Sequence, residues 1–86
     1  MEKWTQQQAI AYECAREAIT HMMAMYSARI EKEKYAPQPD QKHIASLTAQ
    51  RSALFRERAE LKVTDDEKIA KIRAEYGALT QADTAR

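Results

Sequence analysis

The sequence predicts an all-α fold: an antiparallel helical hairpin or three-helix bundle with a long first helix and coiled-coil-like packing. Composition is the first reason. Sixteen Ala, nine Glu, seven Lys, seven Arg and four Leu make up half of the 86 residues, as in long helices and coiled coils. The second is the scarcity of turn formers. One Gly and two Pro cannot supply the turns of a β-sandwich or the glycine loop of a nucleotide site. The third is periodicity, with apolar residues recurring every three or four positions.

The first helix is expected over about 5–35. Thr5 and Gln8 have the spacing of a capping box, in which each residue satisfies a free amide of the other. At ~100° per residue, Trp4, Ala11, Ala15, Ala18, Met22 and Met25 share one face. Tyr12, Ile19, Met23, Tyr26 and Ile30 lie beside them. This arc is wider than the ~100° stripe needed for one neighbour. Two neighbours are therefore expected: either two further helices or the same helix of a second copy.

The turn falls at 36–40, in Ala36-Pro37-Gln38-Pro39-Asp40. Pro37 disfavours a helical Ala36, and Pro39 suits the start of a new helix. The break is short, so its flanking helices should pack antiparallel. Residue i then falls opposite roughly residue 76−i, by the two-fold symmetry of a hairpin about this turn.

A second helix follows over about 41–63, with Ile44, Leu47, Leu54 and Leu61 as a narrow seam. Thr64 and Glu67 suggest another capping box, opening a third helix over about 65–81 with Ile69, Ile72, Tyr76 and Leu79 on one side. No Gly or Pro enforces this break, and the seams are in phase, so one continuous helix is the alternative. Gly77 costs the last helix roughly 1 kcal/mol relative to Ala. Fraying and a loose tail over 82–86 are expected.

Leu, Ile, Val and Phe number only 12 of 86, and the net charge is +1. A core this thin favours extra burial by association. The expected partners are a protein of unknown identity and a second copy, as a homodimer. No apolar run approaches the ~20 residues of a membrane span. Met1-Glu2-Lys3-Trp4-Thr5-Gln6 lacks a signal core, and the lone Cys14 suits a reducing compartment, so a cytoplasmic location is expected. No cofactor or metal site is indicated: His21 and His43 are far apart, and no Cys stands at zinc spacing from them.

Seven residues stand out as candidate partner contacts: Trp4, Met22, Met23, Met25, Tyr26, Arg51 and Arg58. Methionine surfaces adapt to varied partners, and Met, Tyr and Trp are enriched in interface cores; the same residues also serve as ordinary core. Arg51 and Arg58 occupy seam positions where a coiled coil expects apolar side chains. They read as snorkelling stems, as cross-helix pairs with Glu17, Glu31 or Glu33, or as an anion site.

The function expected is a small non-enzymatic interaction module, such as an adaptor, inhibitor, antitoxin-like or chaperone-like protein. An alternative is a helical dimer binding RNA or DNA through the basic 42–62 face, which carries Lys42, Arg51, Arg56, Arg58 and Lys62. A third is a small helical enzyme using Arg51 and Arg58 on an anionic substrate, although no paired acid or base accompanies them.

Overall fold

The computed structural model describes residues 3–84. Among them it is all-α, with α1 over Gln6–Lys34, α2 over Gln41–Glu60 and α3 over Asp66–Thr84. The Thr5–Gln8 capping box opens α1. The Thr5 hydroxyl accepts from the Gln8 amide at 3.0 Å, and Gln8 Oε1 accepts from the Thr5 amide at 2.8 Å. Asp40 caps α2, its carboxylate accepting from the Lys42 and His43 amides. Glu33 steadies the turn from the far side by accepting from the Asp40 amide at 3.0 Å.

α2 runs antiparallel to α1. Tyr26 pairs with Gln50, Ser27 with Arg51 and Thr20 with Arg58. α3 then returns parallel to α1. Its start is tied to α1 by Gln8 Nε2, which donates to Asp66 at 3.1–3.2 Å. Its end is tied by Arg29 and Asp83 at 3.9 Å. The chain therefore takes the three-helix form rather than one long second arm.

A physical reason for the break lies in lengths. A single helix over 41–84 would be ~66 Å long beside an α1 of ~44 Å. Turning back instead lays a second apolar stripe on α1's wide arc. The turn forms without the expected Thr64–Glu67 box. Asp65 does the work: its carboxylate accepts from the Lys62 amide at 3.0 Å, and its carbonyl accepts from Ile69 at 2.8 Å. Nor does α3 fray at Gly77. It continues to Thr84, so residues 82–84 are helix rather than tail; 85 and 86 lie outside the described residues.

The core is a column on α1. Ala15 and Ile19 are fully buried, and Met22 nearly so. Leu54 and Leu61 from the α2 side and Ile69 and Ile72 from α3 close over them. Ile30 and Leu47 are buried nearer the turn. No helix among the described residues is long and apolar enough to cross a membrane.

Both α2 and α3 pack on α1, but no Cα of one comes within 8 Å of a Cα of the other among the described residues. The molecule is accordingly long and flat, 56 × 26 × 16 Å, with a radius of gyration of 15.3 Å. A compact chain of this length would have about 12 Å.

Candidate functional site

The gap between α2 and α3 is an open groove of about 370 Å³. Met22 and Tyr26 of α1 form its floor. Gln50, Ala53, Leu54 and Glu57 line it from α2, and Tyr76 and Leu79 from α3. A smaller depression between α1 and α3 adjoins it, sharing Met22, Tyr26 and Leu79 and bordered by Met25, Arg29, Ala82 and Asp83. Leu79 is 52% exposed despite its seam spacing, because α2 and α3 do not approach closely enough to cover it.

Two tyrosines give the groove its polar contacts. The Tyr26 hydroxyl donates to Gln50 Oε1 at 2.8 Å, and the Tyr76 hydroxyl donates to Glu57 Oε1 at 2.7 Å. The second bond links α3 to α2 across the gap. Burial, then the hydrogen bond to Glu57, then the charges of Glu57 and Glu75 push the Tyr76 phenol up to about 12. Each of these effects opposes a phenolate: ionisation would cost hydration, lose the donated proton and place like charges together.

The structure divides the seven sequence candidates. Met22 and Tyr26 belong to the groove. Met23 packs against the core column without lining the groove. Met25 also packs there and faces shallow depressions beside His21 and Arg29. Trp4 sits at the start of α1, beside Ala9, Tyr12, Glu13 and Val63, and so does not join the methionine cluster.

Arg51 and Arg58 reach α1 hydroxyls instead of carboxylates. Arg51 donates to Ser27 Oγ at 3.1 Å and Arg58 to Thr20 Oγ1 at 2.8 Å. Both are half-buried, the stem-packing arrangement of snorkelling residues. Arg58 also lies over the exposed Phe55 ring at 5.5 Å. Two of the five cations of the 42–62 face are thus turned toward α1. Among the described residues, no three His, Cys, Asp or Glu side chains gather where an ion could be held.

Ala53, Leu54, Glu57, Tyr76 and Leu79 were not legible as a site from the sequence. The available signal was an imbalance of widths. An arc on α1 broad enough for two neighbours, set against narrow seams on those neighbours, leaves little apolar surface for α2 and α3 to bury against each other.

No protein-family model matches this chain, and no curated protein or solved structure matches it either.

Proposed function

We propose that this protein is a non-enzymatic interaction module whose α2–α3 groove receives a helix from a larger protein partner in the cytoplasm. The observation that carries the reading is the open groove: an apolar floor and two helical walls, lacking the fourth helix that would complete a bundle. Surface area supports it. The chain exposes 6504 Å², against about 5,200 Å² for a compact monomer of this mass. The excess exceeds the ~800 Å² that each partner buries in a standard interface. The non-enzymatic part is supported by the spending of Arg51 and Arg58 on hydroxyls.

The excess surface and the near-neutral charge of +1 also favour a second reading, a homodimer formed through the same groove. Site-specific photocrosslinking in cells separates the two. A benzophenone side chain at Leu79 is compared with one at Ala70, exposed on α3. The proposal expects a discrete adduct at Leu79, absent at Ala70, heavier than two copies of the 9.9 kDa chain. An adduct of twice the chain mass would establish the homodimer instead. Equal labelling at both positions, or none at Leu79, would refute groove docking.

A further inference from the structure

We infer that the helix fitting this groove is amphipathic, with an apolar stripe flanked by lysine or arginine side chains. This rests on the docking reading above and adds the chemistry of the occupant.

Shape asks for a helix. The walls are two antiparallel helices whose Cα atoms stay more than 8 Å apart. A fourth helix packs at 8–10 Å from its neighbours. It would set apolar side chains on Tyr26, Ala53 and Leu79, the accessible apolar part of the lining, as amphipathic helices do in hydrophobic grooves.

Charge specifies the flanks. Glu57 is half-buried in the α2 wall, and Glu75 precedes Tyr76 on α3. Neither belongs to an ion pair among the described residues; those formed are Arg16–Glu13, Arg29–Asp83 and Lys34–Glu31. Glu57 accepts only the Tyr76 proton. Both carboxylates disfavour ionisation of that phenol. Lys68 and Lys71 lie earlier on α3 and, like Glu75, outside the groove's lining, whereas Glu57 is within it; Arg29, which borders the adjoining depression, is paired with Asp83. Covering the groove with an apolar or acidic helix would dehydrate unpaired carboxylates, which is costly; a cationic flank offsets that cost. A second copy meeting groove to groove would gather four like carboxylates in one seam, so it fits less well.

The test uses two designed peptides of about 18 residues, or five helical turns. Both carry the same Leu/Ala stripe, one with Lys and the other with Glu on the flanks. Binding is read by fluorescence anisotropy at low and high salt. The Lys peptide is expected to bind at least ~10-fold tighter than the Glu peptide. The preference should shrink at high salt and largely vanish in the Glu57→Gln/Glu75→Gln double variant. That variant keeps an acceptor for Tyr76, and circular dichroism confirms its fold. Leu79→Glu should abolish binding of the Lys peptide.

Equal affinity for the two peptides would overturn the charge inference and leave groove docking standing. Binding that survives Leu79→Glu would place the peptide elsewhere and overturn the inference. No binding by either peptide would overturn both the inference and the docking reading.

Discussion

At the scale of single residues, Gly77 and Tyr76 give the sharpest predictions. Gly77 sits within α3 at an ordinary helical φ, and a Cβ there would meet nothing within 4 Å. Gly77→Ala is therefore expected to stabilise the fold by up to ~1 kcal/mol, raising Tm by about 4–8 °C. A lower Tm would mean that the space beside Gly77 is not open. Tyr76 holds its proton more tightly folded than unfolded, because its phenol moves from 10.0 to about 12. Its contribution to stability is complete below pH 10 and lost as pH rises through about 12. Urea titrations across that window should show a smaller fall in stability for Tyr76→Phe than for the parent chain. Parallel curves would contradict the Tyr76–Glu57 tie. Arg58→Ala should cost about 0.5–1.5 kcal/mol, the value of one hydrogen bond, and leave peptide affinity unchanged. A loss of affinity at unchanged stability would instead make Arg58 a partner contact.

At the scale of elements, caps and periodicity explain which features were legible. Thr5 with Gln8, and Pro39 with Asp40, are local signals, and local hydrogen bonding settles them. Thr5→Ala should destabilise the chain by about 0.5–2 kcal/mol in chemical denaturation. Some of that loss comes from misplacing Gln8, whose amide also holds Asp66 of α3. A silent Thr5→Ala would show that the start of α1 is not coupled to the fold. The width of α1's apolar arc correctly demands two neighbours. Other features depend on tertiary fit and have no local mark. The α2–α3 turn is organised by Asp65 rather than Thr64, since several polar residues at that turn could serve as the cap. α3 continues past Gly77 to Thr84, where Asp83 lies 3.9 Å from Arg29 on α1, an approach across 54 residues that propensity cannot register. The groove was hidden for the same reason. It exists because α2 and α3 are held by α1 rather than by each other, and their spacing is a property of the assembled trio. Ile19 shows how much rests on that central column. Fully buried, its truncation to Ala should cost about 2–5 kcal/mol, comparable to the ~3–5 kcal/mol that a core this small supplies. Circular dichroism should find Ile19→Ala largely unfolded at 25 °C. A cooperative, near-parental melt would show that α1 is not the organising element.

At the scale of the whole molecule, three helices leave one side of α1 open. The flat 56 × 26 × 16 Å shape and the excess surface are one fact seen twice: α1 is covered from two sides, and the third side lies open. The most direct test reads the floor of the groove itself, through methionine methyl NMR. Met22 lines the groove and Met23 does not, although they are adjacent in sequence, so Met23 is an internal control. On addition of the lysine-flanked peptide, the Met22 ε-methyl signal should move to saturation while that of Met23 stays nearly still. Before the peptide is added, the Met22 signal should be unchanged over a hundredfold dilution, because the groove of the free chain is open. Equal movement of both signals on adding peptide, or a Met22 signal that moves on dilution alone, would contradict a groove kept open for another protein's helix.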